Sequence, residues 1–335
     1  MKERKILNKD IKTIEKWTKG ALARRRFKKM VIVSQFTKLR KPVYDDGKRE
    51  YLQEVLFNDD DIAYQIDWKA GGKGLSFNTK TVDLPKGKTY VGQWKADKFK
   101  STWEGLGCIN FPDGSKYQGV TKSGQFHGKG RMTHSNGDIY QGQWENGKAQ
   151  GKGVFVDNLG TMYDGEWLND QYHGQGCEQW NYNKIIYTGQ FIEGRKTGKG
   201  KFEFDGNVYE GDFVDGQFHG KGQYKFADSG KVYKGDFYEN NMHGQGVMTW
   251  TDGTIYEGDF NNGKMDGFGH KKYANGDVYE GEFRDDMRWG EGNFYDAKKA
   301  EQRKGMWRED RELEAVNENI GTPWKNMRKT VRVNQ

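Results

Sequence analysis

The stretch Tyr256-Glu257-Gly258-Asp259-Phe260-Asn261-Asn262-Gly263-Lys264-Met265-Asp266-Gly267-Phe268-Gly269 decides the fold, because the chain writes its pattern nine times. The pattern is a Tyr, a Gly two residues on, an aromatic ring four on in most copies, and a Gly-x-Gly beginning eleven on. It opens at Tyr117, Tyr140, Tyr163, Tyr187, Tyr209, Tyr233, Tyr256 and Tyr279, while Tyr90 opens a copy with four extra residues before Gly105 and Gly107. Successive tyrosines lie 22 to 27 residues apart, yet the eleven-residue offset holds in every copy after the first. A fixed offset inside each copy with slack between copies marks an array of structural repeats.

Each copy reads as a β-hairpin. Side chains two apart on an extended strand share a face, so Tyr256, Gly258 and Phe260 point one way and Glu257 and Asp259 the other. The parity continues after Gly-x-Gly into Met132, Phe155, Trp180, Phe202, Tyr224, Met248, Tyr273 and Phe294. The ring-bearing positions are Tyr90 and Trp94, Tyr117, Tyr140 and Trp144, Tyr163 and Trp167, Tyr187 and Phe191, Tyr209 and Phe213, Tyr233 and Phe237, Tyr256 and Phe260, and Tyr279 and Phe283. Asn146-Gly147, Asp215-Gly216 and Asn262-Gly263 fall within copies, and Asp113-Gly114, Asn136-Gly137, Asp252-Gly253 and Asn275-Gly276 fall between them. Such dipeptides supply the positive φ of tight hairpin turns at both places.

Glycine weakens a strand unless something covers it. Here large rings recur beside glycines, which predicts that a ring from one strand lies over the bare backbone of its neighbour. Single hairpins are marginal in water, so the row gains stability by pairing each with the next.

The segments Tyr140 to Gly153 and Tyr209 to Gly222 resemble the MORN repeat, written Tyr-x-Gly-x-Trp/Phe, Asn-Gly-Lys, His-Gly-x-Gly; Thr121 departs from it where an aromatic is expected. The resemblance spans roughly residues 88 to 295. It implies an all-β fold, an elongated single-layer antiparallel sheet solenoid of about nine hairpins. It also points to ciliary and axonemal proteins similar to those of radial spoke heads.

Composition agrees with a thin sheet: 14% of residues are aromatic, 31% charged, and there are 47 glycines in 335 residues. The net charge of +7 is uneven, since residues 1 to 49 hold 17 Lys and Arg against 5 Asp and Glu, leaving 38 against 43 in the remainder. Cys108 and Cys177 lie three copies apart in one register, roughly 29 Å at about 4.8 Å per strand, too far for a disulfide, so both should be free thiols in a reducing compartment. No apolar run approaches a membrane span and Met1 to Asp10 is too polar for a secretory signal, so the expectation is a cytoplasmic protein.

The sequence divides into a basic arm (1–61), the repeat array with degenerate caps (62–308) and a charged tail (309–335). Residues 5 to 33 have helical spacing in Leu7, Ile11, Ile14, Ala21 and Leu22. Within them Ile14, Lys19, Gly20, Arg24 and Phe27 resemble an IQ motif, with Glu15 in place of its glutamine. Three occupants suit this arm: the end of the sheet or a larger assembly, a calmodulin-like light chain, or an anionic membrane. Arg24, Arg25, Arg26, Lys28 and Lys29 would serve any acidic partner, tubulin tails included. Tyr64, Ile66 and Trp68 with Gly72 and Gly74 read as a degenerate cap, Arg303, Gly305 and Trp307 as a closing half-copy, and Arg308 to Asn319 as a short charged helix. Trp324 is a candidate docking anchor.

No catalytic constellation emerges. His127, His173, His219 and His243 hold one repeat position before Gly-x-Gly, and His134 and His270 lack ligand partners at zinc spacing. No Gly-x-Gly continues into a nucleotide loop, and no nucleophile elbow occurs. Carboxylates at Glu210, Asp212, Glu257, Asp259, Glu280 and Glu282 face lysines such as Lys152, Lys199 and Lys221, which predicts cross-strand ion pairs on a wet face. The expected function is a non-enzymatic scaffold without catalytic, metal or cofactor residues. It would bury exposed rings against other subunits of a cytoskeletal assembly, the axoneme foremost. The alternatives are a peripheral adaptor for anionic phospholipids and a calmodulin-binding adaptor; a homodimer is compatible with each, and nucleic acid is not an expected partner.

Overall fold

The computed structural model describes residues 75–96, 101–180 and 185–316. They form twenty-one strands, from Leu75–Leu84 to Arg311–Val316, with a single 3-10 turn at Pro85–Gly87. The expected arm helix, the degenerate cap at 64–74 and Trp324 lie outside the described residues. Two compact bodies are present among them, 75–205 with 212–217 and 206–211 with 218–316. In each body the strands pair antiparallel with their sequence neighbours.

One row of glycines runs across the strands of each body, paired Gly92, Gly107, Gly119, Gly130, Gly142, Gly153, Gly165 and Gly176, then Gly189 and Gly200, in the first. The second carries Gly222, Gly235, Gly246, Gly258, Gly269, Gly281, Gly292 and Gly305. The repeat tyrosine of each copy folds over this row. A Cβ added to Gly153 would stand 2.5 Å from the Tyr140 hydroxyl, and one added to Gly246 would stand 2.4 Å from Tyr233 Cε2. The tyrosines are buried, with 0% exposure at Tyr163, Tyr187 and Tyr256. The ring-over-glycine packing read from the sequence is therefore present.

A bulge follows in each copy. The first Gly of Gly-x-Gly is left-handed, with φ of 60° at Gly128, 66° at Gly151 and 56° at Gly244, a conformation that suits glycine and bends the strand. The ladder slips opposite it, between Gly142 and Trp144 or Gly235 and Asp236. That slip frees backbone groups, and side chains take them up. Tyr140 Oη donates to the Gln143 carbonyl at 2.9 Å and Tyr163 Oη to that of Glu166 at 2.8 Å. Lys152 N donates to Gln143 Oε1 at 2.9 Å, and Phe268 N to Asp259 Oδ2 at 2.8 Å. Asp259 thus serves the bulge, its other oxygen accepting from the Gln245 amide, in place of the wet-face ion pairing expected of it.

The two turn classes differ, contrary to the sequence expectation of one turn chemistry. Within copies both central residues have positive φ, as in Asn146 (50°) and Gly147 (80°), the pairing that matches strand twist. Asn169-Asp170, Glu239-Asn240 and Asp285-Asp286 achieve this without glycine. Between most copies only the glycine is left-handed, as at Gly114 and Gly253, while Asp205-Gly206 (47° and 78°) takes the within-copy form. There the Asp closes an Asx turn instead, Ser115 N donating to Asp113 Oδ1 at 2.9 Å.

Turns also bind copy to copy. Gly147 N donates to the Phe126 carbonyl at 3.0 Å, Asp170 N to that of Ala149 at 3.1 Å and Asp286 N to that of Met265 at 3.0 Å. Where the donor is Asp or Asn its side chain returns the bond: Ala149 N donates to Asp170 Oδ1 at 2.7 Å and Phe218 N to Asn240 Oδ1 at 2.8 Å.

Past Trp307 the structure corrects the sequence. The predicted helix at Arg308 to Asn319 is instead strand Arg311–Val316, so the closing half-copy is a whole hairpin. Glu309 and Asp310 take φ of 51° and 64° at the turn. Asp310 accepts Arg288 N at 3.0 Å, and Glu312 pairs with Arg303 at 2.9 Å, which fixes the strand over a helix.

Burial raises the tyrosine hydroxyls. Tyr90 is pushed up to about 12, and Tyr117, Tyr140, Tyr163, Tyr187, Tyr233, Tyr256 and Tyr279 are raised by the same cause. An unfolded tyrosine titrates near its ordinary value of about 10. The folded state then holds more protons above pH 10, so this stability is complete below about pH 10 and is lost as pH rises through the folded values. Cooperative alkaline unfolding should coincide with the appearance of phenolate absorbance. Phenolate absorbance of all eighteen tyrosines near pH 10 in a chain still folded by circular dichroism would contradict it.

Candidate functional site

The ring face is closed within the chain. Tyr140 meets Trp144 of its own copy edge-on at 4.9 Å and Trp167 of the next at 4.8 Å. Tyr187 repeats this with Phe191 at 5.1 Å and Phe213 at 5.0 Å. Trp144 Nε1 and Trp167 Nε1 donate to the carbonyls of Gly130 and Gly153 in the preceding copies, at 3.0 and 2.9 Å. Trp144, Trp167, Phe191, Phe213, Phe237, Phe260 and Phe283 are all buried. The expectation that exposed rings dock partner subunits is therefore corrected: the repeat rings are consumed in joining one copy to the next. At the departing copy Thr121 is buried, its hydroxyl donating to the Gly105 carbonyl at 3.0 Å, and Phe126 stacks on Tyr117 at 3.9 Å.

These observations fix the repeat, and comparison with known families matches the MORN repeat at residues 90–116, 117–139, 140–158, 163–181, 187–207, 209–231, 233–255, 256–278 and 279–299. The chain belongs to the MORN repeat family. Curated proteins give no match to this MORN chain. Among solved structures it is similar to the TCP domain of SAS-4 (dCPAP) of Drosophila melanogaster in complex with a proline-rich motif of Ana2 (dSTIL), at 12% identity. That alignment covers 52% of this chain and 86% of that one, with a TM-score of 0.29. It is also similar to a virginiamycin B lyase from Staphylococcus aureus with quinupristin, at 10% identity over 69% of this chain and 87% of that one, with a TM-score of 0.14. Overlaps this slight carry no argument about chemistry.

Charged groups interrupt the ring face of the MORN array in both bodies. Lys196 Nζ lies 2.8 Å from Glu178 Oε2, both buried, with Lys196 also 4.6 Å from the Trp180 ring and 5.3 Å from that of Tyr187. In the other body Arg288 stacks 4.1 Å over Trp307 and pairs with Asp310 at 3.1 Å. Nearby, Lys271 lies 5.2 Å over Trp250, and burial holds its ammonium below the usual lysine range. Sequence reading missed these groups because they sit at positions that other copies fill with apolar residues, as Phe155 and Phe202 do for Glu178. A charge in a ring row is the signal that could have found them.

Beside Arg288 a shallow basin of about 430 Å³ is lined by Asp252, Thr254, Tyr273, Ala274, Asn275, Asp277, Arg288 and Phe294. Its polar groups are already committed. Thr254 donates its backbone N–H and its hydroxyl to Asp252, at 2.8 and 3.0 Å, which holds that carboxyl below the usual range. Asp277 receives Ala297 N at 2.9 Å. The basin is the gap between successive turns.

Among the described residues no group of His, Cys, Asp and Glu could hold a metal ion. The backbone carbonyls of His173 and His243 accept the hydroxyls of Tyr163 and Tyr233, both at 3.3 Å, as that of Trp289 accepts Tyr279 at 3.4 Å, so the bond uses the position and not the imidazole. Cys108 and Cys177 are free thiols, and burial pushes the Cys108 thiol up, which disfavours the reactive thiolate. Of the expected wet-face ion pairs Lys199 to Asp212 (2.7 Å) is present, while Lys221 pairs with Asp236 (2.6 Å), a carboxylate outside the expected set.

One row of this face is different. The residue five on from the repeat tyrosine ends the first strand and points away from the rings. In the first body it is Lys95, Lys122, Glu145, Leu168, Ile192 and Val214 in successive copies, so three consecutive copies present apolar side chains. Leu168, Ile192 and Val214 are 38%, 52% and 49% exposed. In the second body the position holds Tyr238, Asn261, Arg284 and Arg308. The sequence-predicted partner residues Ile14, Lys19, Gly20, Arg24, Arg25, Arg26, Phe27, Lys28, Lys29 and Trp324 lie outside the described residues.

Proposed function

We propose that this MORN protein is a non-enzymatic scaffold or spacer in a large cytoskeletal assembly, the ciliary or flagellar axoneme being the setting its family resemblance favours. The observation that carries the reading is the copy-to-copy joining: rings and turn hydrogen bonds tie each copy to its neighbours, and the basin beside Arg288 has its Asp252, Thr254 and Asp277 groups committed. Such a sheet offers surface and stiffness in place of a pocket. MORN repeats are generally structural and bind membranes or protein partners. Charge favours protein here, since residues 75–316 hold 32 Lys and Arg against 36 Asp and Glu, giving anionic lipid no long-range attraction to the array.

The test is sedimentation of the full chain with phosphatidylserine/phosphatidylcholine vesicles, beside fractionation of native cell extract. The expected result is that the protein stays in the supernatant at physiological salt and co-purifies with cytoskeletal, above all axonemal, complexes. Strong, salt-sensitive pelleting that disappears on deletion of residues 1–49 would instead establish the phospholipid adaptor.

A further inference from the structure

The apolar row Leu168, Ile192 and Val214 has no role in the fold, because other copies put Lys95, Lys122 and Glu145 at the same place without disturbing the sheet. Singly exposed apolar residues need no explanation, but three aligned on consecutive copies form a stripe. Its surroundings are acidic. Residues 163–217 hold 10 Asp and Glu against 5 Lys and Arg, whereas residues 75–162 hold 7 against 12. Glu193 and Asp215 stand at the turns beside Ile192 and Val214, with Arg195 opposite Ile192 pairing to both at 3.6 and 3.0 Å, so the acidic excess is that of the surrounding segment and not of these two groups alone. The occupant that fits is basic and carries an apolar residue at each copy step.

We infer that this stripe is the docking site of the chain's own basic arm, residues 5–33. Copies are two strands apart, about 9.6 Å, and seven residues of helix rise about 10.5 Å. The arm has Leu7, Ile14 and Ala21 at that seven-residue interval, set among the lysines and arginines that give residues 1–49 their excess of 17 basic over 5 acidic groups. Spacing, hydrophobicity and charge all match. Reach is ample: from strand Leu75–Leu84 to strand Ile185–Ile192 is nine strand steps, roughly 43 Å, and the 41 residues from 34 to 74 can span up to about 140 Å. Docking at home would withhold the arm from acidic partners until one competes for it. The inference stands on the stripe and is independent of the scaffold reading.

The experiment is limited trypsin digestion of the full chain, following cleavage at Arg24 to Lys29 by mass spectrometry. The triple variant Leu168→Lys, Ile192→Lys, Val214→Lys keeps the fold, since lysine already occupies this position at Lys95 and Lys122, and it repels the arm. Cleavage should be at least tenfold faster in the variant than in the parent chain. Carbodiimide should also link arm lysines to Glu193 or Asp215 in the parent alone. Equal cleavage rates with no such link, in two proteins of identical circular dichroism, would overturn the inference. So would a doubled mass in scattering that the variant abolishes, which would assign the stripe to a second copy.

Discussion

Replacing Gly176 by alanine should lower stability by about 3 kcal/mol, the upper end of the cost of forcing a methyl group into a filled site. The added Cβ would lie 2.5 Å from the Tyr163 hydroxyl and 2.6 Å from its Cε2, with Gly165 and Gly189 paired on either side. The ring would have to lift, breaking its bond to the Glu166 carbonyl and its stack on Tyr172 at 3.7 Å. Gly147→Ala is the control. Nothing lies within 4 Å of its Cβ position, so only the left-handed φ of 80° is penalised, at about 1 kcal/mol. A cycle with Tyr163→Ala should show strong coupling, because the alanine at 176 does little harm once the ring is gone. Urea unfolding with hydrogen exchange over Tyr163–Trp180 measures both. Equal losses for Gly176→Ala and Gly147→Ala would show that the ring does not press on this glycine.

Removing one member of the buried pair should cost more still. Glu178→Ala leaves the Lys196 ammonium among Trp180, Tyr187 and Phe191 with its anionic partner gone, a loss of about 3 to 5 kcal/mol. The double change Glu178→Leu, Lys196→Met should recover most of that, since apolar groups of similar volume replace buried ion pairs at little cost. Denaturant midpoints of the two variants decide it. A double variant as unstable as Glu178→Ala would mean that the pair contributes net stability beyond cancelling its own desolvation.

The hairpins were legible because the eleven-residue offset from Tyr140 to Gly151 or Tyr256 to Gly267 fixes both strands at once. The ring-and-glycine packing was legible because nothing else accounts for so many glycines in strands. The bulge was not, since Gly128 and Gly130 look alike in sequence while one is left-handed and the other lies under Tyr117. Strand Arg311–Val316 was hidden for a related reason. Its run of charges suits a helix locally, and the ladder with Glu301–Arg308, together with the bonds of Arg288 to the turn and of Arg303 to Glu312, holds it extended. The apolar stripe escaped notice because Leu168, Ile192 and Val214 stand out only when copies are stacked and compared position by position.

The glycine row also governs how this chain can go wrong. A slip of one or two residues would set a tyrosine ring against a side chain and is rejected at once. A shift by a full copy of about 23 residues offers every ring an equivalent resting place. Errors should therefore come as skipped or exchanged hairpins, within a molecule or between two, and the unequal details of the copies, Thr121 and the Glu178–Lys196 pair among them, act as address labels that keep the order.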